Sequence, residues 1–104
     1  MEPHAEQVGA ARPHQRRGLI FERLADGSGV VVDQDGASYA LNPTGAAVWA
    51  LCDGRHDAPA MAAALAQRYQ TTARSALPAV VSLLEQLHDL ELLEVPELQG
   101  IADE

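Results

Sequence analysis

Apolar and polar positions alternate along the chain in an order that predicts three short strands followed by three helices. Gly18 to Leu24 holds Leu19, Ile20, Phe21 and Leu24, an apolar run that reads as a first strand, closed by the turn residues Asp26, Gly27, Ser28 and Gly29. Val30, Val31 and Val32 make the second strand. Asp33 to Gly36 ends in the Asp-Gly signal of a tight hairpin, and Ala37 to Leu41 returns as a third strand. The expectation is an antiparallel meander with its last strand on an edge.

Pro43 forbids helix at Asn42 and suits a first helical turn, where Asn42 or Thr44 can accept the open N–H groups. A helix over about Thr44 to Cys52 follows, with Val48, Trp49, Leu51 and Cys52 on a core face and Gly45, Ala46 and Ala47 keeping the other side slim. Asp53-Gly54 ends it. Asp57 caps a second helix, with Pro59 in its first turn and Met61, Ala64, Leu65 and Arg68 at helical spacing up to Tyr69, before Thr71 and Thr72 break it. The third helix, about Arg74 to Leu90, has Pro78 near its start and apolar residues at Leu77, Val80, Val81, Leu83, Leu84, Leu87 and Leu90. They cover an arc of roughly 200°, about twice what docking on one core needs, so something besides the first two helices should cover it. Leu92, Leu93 and Val95 read as a short strand or extended segment. The predicted class is α+β, a winged-helix-like arrangement of a three-stranded antiparallel sheet followed by three helices.

The two ends have a different composition. Residues 1–17 contain Pro3, Gly9 and Pro13 and almost no large apolar side chain, too little to offset their ordering entropy, so a flexible arm is expected there. Residues 18–95 form the expected domain and 96–104 an acidic tail. At 104 residues the chain holds one modest core and no deep enzyme cleft, which favours binding over catalysis. No run is long and apolar enough to span a membrane, and the N-terminus lacks the order of a secretory signal, so a soluble, cytoplasmic protein is expected.

Charge narrows the partners. Seven arginines and no lysine face fifteen acidic residues, for a net charge of −8, which disfavours nucleic acid. Arg12, Arg16, Arg17 and Arg23 lie early, whereas beyond Ser75 the charges are Glu85, Asp89, Glu91, Glu94, Glu97, Asp103 and Glu104. That acidic end reads as a solvated face and solubilising tail, with attraction of a basic partner as the sharper alternative.

Candidate catalytic chemistry is sparse. His4, His14, His56 and His88 show no metal-ligand spacing with each other or with Cys52, the one cysteine, which sits in the apolar helix pattern as a buried thiol. Ser28, Ser38, Ser75 and Ser82 have no base placed beside them, and Gly27-Ser-Gly29 lacks the Lys of a phosphate loop. No catalytic residue, metal or cofactor is expected. Trp49 reads as core. Tyr39 differs, because Ala37 to Leu41 is an edge strand without charge or proline to discourage pairing. Beside an over-wide apolar helix, such an edge suits capture of an extended peptide.

Val30-Val-Val-Asp33, Tyr39-Ala-Leu-Asn-Pro-Thr-Gly-Ala-Ala-Val-Trp49, Asp53-Gly54, the helix Met61 to Tyr69 and Val80 to Glu94 together resemble the PqqD-like family, over about Leu19 to Val95. The second helix departs from the family in its few large side chains between Ala60 and Ala66. The resemblance implies a winged-helix-like, non-catalytic recognition element that binds the leader of a ribosomally made precursor peptide as an added strand and presents it to a modifying enzyme. The implied site is Ala37, Ser38, Tyr39, Ala40 and Leu41 on the strand, with Leu77, Val80, Val81 and Leu84 of the third helix as the other wall. Implied partners are the precursor peptide and either a radical S-adenosylmethionine enzyme, in quinone-cofactor pathways, or a leader peptidase, in lasso-peptide pathways. The alternative from another class is a winged-helix DNA-binding or transcription-regulating domain, which calls for a basic recognition helix. The third helix carries Arg74 and then Glu85 and Asp89, the wrong sign.

Overall fold

A computed structural model of the chain describes residues 11–94. Its elements in order are β1 (His14–Gln15), β2 (Ile20–Arg23), β3 (Gly29–Val32), β4 (Ser38–Leu41), α1 (Pro43–Ala50), α2 (Ala58–Tyr69), α3 (Ala73–Asp89) and β5 (Leu93–Glu94). The expected α+β order holds: β2, β3 and β4 form an antiparallel sheet with β3 in the middle, and three helices follow.

Short side chains close both hairpins. Asp33 Oδ1 accepts from the backbone N–H of Asp35 and of Ala37, each at 2.9 Å, while Gly36 takes the positive φ of +87° that the turn demands. Asp26 Oδ1 does the same for Ser28 N at 2.9 Å and accepts its hydroxyl as well. Across the sheet, Phe21, Val31 and Tyr39 are register partners and share one face. That face meets the core: Val31 is fully buried, and Phe21 and Tyr39 pack against the buried cluster.

All three helices start on side-chain caps. Asn42 accepts from Gly45 N, Asp57 from Ala60 N and Thr72 from Ser75 N. Helix α1 stops at Ala50, two residues short of the expected Cys52, with Leu51 as its C-cap. In α2, the scarcity of large side chains is what lets α3 approach: Ala58, Met61 and Ala62 are fully buried, and the α2 and α3 pair packs together more extensively than any other. Val80, Leu84 and Leu87 of α3 complete the core around Trp49 and Met61.

The flexible arm expected over residues 1–17 is not what the described part of it forms. Ala11 and Pro13 are buried, and β1 pairs antiparallel with β5, His14 against Glu94 and Gln15 against Leu93. Gln15 N donates to Cys52 O at 3.0 Å, Gln15 Nε2 to Trp49 O at 2.9 Å, Gly54 N to Pro13 O at 2.9 Å and Arg16 N to Leu92 O at 3.0 Å. Large apolar side chains are not what holds this segment. It is held by backbone groups at the end of α1 and after α3, which need partners once a helix stops. Residues 1–10 and the expected tail 96–104 lie outside the described residues.

Candidate functional site

Hydrogen-bond alternation determines which backbone groups of β4 are open. Asp33 N donates to Ala37 O at 2.9 Å, so 33 and 37 are a hydrogen-bonded pair. In an antiparallel ladder that role recurs every second pair, which makes Val31–Tyr39 and Gly29–Leu41 the bonded pairs. Ser38 and Ala40 therefore turn their N–H and C=O groups away from β3, and among the described residues nothing pairs with them. The other edge, β2, carries Glu22 and Arg23, whereas β4 carries no charge. Charges discourage strand addition, so β4 is the more receptive edge.

The expected strand residues lie together on this edge. Ala37, Ser38 and Ala40 are exposed, and Tyr39 and Leu41 are half-buried with their side chains against the core. On α3 the expected residues divide. Leu77 and Val81 are half-buried on one flank of the helix, but Val80 and Leu84 are 0 % exposed and belong to the core. The expectation is corrected for these two. One turn of helix brings 80, 84 and 87 onto the stripe that faces inward, and 77 and 81 are rotated off it.

Trp49 is core as expected, 1 % exposed and tilted against Phe21 with ring centroids 6.2 Å apart. Its indole N–H makes no hydrogen bond among the described residues. Cys52 is buried, its thiol donates to Val48 O at 3.3 Å, and burial pushes its pKa up to about 12. A thiol held protonated in this way is no nucleophile at neutral pH. Asp53 accepts from His56 Nδ1 at 2.9 Å and from Arg55 N at 2.9 Å, which holds its carboxyl below the usual carboxylate range. Both side chains are exposed enough for this to be a turn-stabilising pair.

Two cavities lie where the N-terminal segment meets the end of α3, the smaller reaching the β3–β4 hairpin as well, and Arg16 and Arg17 line both. The larger, about 790 Å³, is an open depression that includes His88, Glu91 and Glu94. The smaller, about 250 Å³, is walled mainly by charged and polar residues, Asp33, Gln34, Asp35 and Glu91 beside the two arginines, with Leu19, Tyr39, Leu90 and Leu92 between them. The sequence reading did not single out Arg16, Arg17, Leu19, Leu90 and Leu92, which line these cavities. The exposed apolar residue Leu90 at the end of an amphipathic helix was the one available signal.

A protein-family model described as coenzyme PQQ synthesis protein D (PqqD) matches residues 28–93. No curated protein matches the chain. Among solved structures, TbiB1 in complex with the TbiA(beta) leader peptide superposes with a TM-score of 0.67 at 20 % identity, covering 78 % of this chain and 94 % of that one. The PqqD truncation of Methylobacterium extorquens PqqCD, described as a functional and stand-alone recognition element for ribosomally synthesized and post-translationally modified peptides, superposes with a TM-score of 0.71 at 22 % identity, covering 86 % of this chain and 98 % of that one. At such identities the two structures establish a shared fold, and the family match, which takes in all of β3, β4 and the three helices, establishes the rest: the chain belongs to the PqqD family.

Proposed function

We propose that this protein is a recognition element that binds the leader of a ribosomally synthesised precursor peptide as a strand added to β4. The observation that carries the reading is the uncharged β4 edge, where Ser38 and Ala40 present unpaired backbone groups. Main-chain bonds to such an edge supply affinity for an extended peptide, and side-chain pockets beside it supply selectivity. Ala37 to Leu41 form the strand wall, and the half-buried Leu77 and Val81 of α3 form the apolar wall. The family membership and the leader-bound relative of like fold support this assignment.

In this reading the domain performs no chemistry and acts in the cytoplasm, delivering the leader to a processing enzyme of the same pathway, a radical S-adenosylmethionine enzyme or a leader peptidase. No helix among the described residues is long and apolar enough to cross a membrane. No observation favours the DNA-binding alternative, since α3 carries a single arginine at its start and then acidic residues.

The test is a titration of the full chain with a synthetic peptide spanning the leader of the precursor encoded beside this gene, followed by backbone amide shifts. Shifts at residues 37–41, 77 and 81, with an affinity of about micromolar or tighter, are expected. Silence at those positions under saturating peptide overturns the reading.

A further inference from the structure

The sheet has a second face, turned away from Phe21, Val31 and Tyr39, and the strand register arranges it in two rows. One row is Ile20, Val32 and Ser38, the other Glu22, Val30 and Ala40. Ile20 is 68 % exposed, and Val30 and Val32 are only half-buried although they lie on the middle strand. From the β2 edge the valines stand behind Ile20 and Glu22. From the β4 edge they stand behind Ser38 and Ala40, which are exposed and too small to cover them. Ser38 and Ala40 are also the two residues whose backbone groups are open to another strand. The bonding groups of this edge and the uncovered sides of the two valines therefore belong to the same two positions.

We infer that the two leader residues paired with Ser38 and Ala40 carry large apolar side chains, and that Val30 and Val32 are the specificity-determining shelf on which those side chains lie. This inference rests on the leader-binding reading above and extends it to the outer face of the sheet. Both strand pairs of this sheet are antiparallel, and an added antiparallel strand places directly opposed residues on the same face. The residues that bond Ser38 and Ala40 thus turn their side chains outward, two positions apart. Neighbouring strands are about 4.8 Å apart, so β3 lies roughly 10 Å from an added strand, within reach of an aromatic or long aliphatic group leaning over a serine or alanine. Such a group removes the valine methyls and its own surface from water, a gain that a polar side chain does not provide.

The test uses the full chain and the synthetic leader peptide described above, scanned once by N-methylation and once by alanine, with isothermal titration as the readout. N-methylation is expected to abolish binding at the two peptide positions whose N–H groups bond β4. Alanine at each of those same positions should weaken binding about tenfold, the scale of burying part of a large apolar side chain. In the double variant Val30→Thr, Val32→Thr that alanine cost should largely vanish, and threonine keeps the β-branched shape a strand favours. In the saturated wild-type complex, intermolecular nuclear Overhauser effects should join the Val30 and Val32 methyl groups to those two peptide side chains, a readout independent of how the variant folds. Alanine tolerated at both N-methyl-sensitive positions overturns the proposal, as do valine methyls without peptide contacts. Self-association of the free chain that the double variant abolishes assigns the face to a second copy and overturns it too. Failure of the wild-type chain to bind the leader, or N-methylation without effect at any position, overturns the strand-addition reading instead.

Discussion

The aromatic ring of Phe21 lies over Gly29 on the neighbouring strand and occupies the space a side chain there would need. The same ring leans on Trp49, so one residue joins the sheet to α1. Gly29→Val drives two methyl groups into that ring and is expected to cost about 1–3 kcal/mol, the usual range for overpacking. Thermal or urea denaturation reads it. Unchanged stability would show that the ring moves aside freely.

Strand addition at β4 makes a sharp distinction between adjacent residues. Ala40 turns its N–H outward, whereas Leu41 spends its own on Gly29. Ala40→Pro removes only an outward donor, and the neighbouring strand conformation suits a proline, so the fold should persist while leader binding is lost. Leu41→Pro breaks a ladder bond and should destabilise the domain outright. Circular dichroism beside a binding titration separates the two; equal binding by Ala40→Pro and wild type would exclude backbone pairing at this edge.

On α3 the two flanks should respond in opposite ways. Leu84→Ala empties a fully buried site and is expected to cost about 2–5 kcal/mol of stability. Leu77→Ser and Val81→Ser alter half-buried positions and should lower leader affinity with far smaller losses of stability. Chemical denaturation and titration of each variant check this, and stability losses at 77 and 81 equal to that at 84 would place them in the core instead.

Alkaline pH should weaken the fold through Cys52. Its thiol is held protonated in the folded chain, with the pKa raised from 9.0 to about 12, chiefly by burial and secondarily by Asp53. Between these values the unfolded chain has lost the proton and the folded chain keeps it, so stability falls as pH rises. The slope approaches about 1.4 kcal/mol per pH unit for one group. Denaturation of wild type and Cys52→Ala at pH 8 to 10.5 measures it as the difference between the two, and parallel curves would refute the shift.

Local signals placed most of the architecture. The Asp-Gly hairpin at residues 35 and 36, the caps Asn42 and Asp57 and the helical spacing of Val80, Leu84 and Leu87 each depend on neighbours a few positions away, and so they could be read from the chain. The β4 edge was legible for the same reason, because a meander of consecutive hairpins puts its last strand outside. Tertiary structure alone decided two things. It showed which flank of α3 enters the core, because an apolar arc wider than one contact face has no preferred orientation until α2 packs against it. It also tied down residues 11–17, whose composition predicts an unpacked arm. Hydrogen bonds to the backbone carbonyls of Cys52, Trp49 and Leu92, the one to Trp49 from the Gln15 side chain, hold that segment, and they come from partners far along the chain that no local pattern of side chains records.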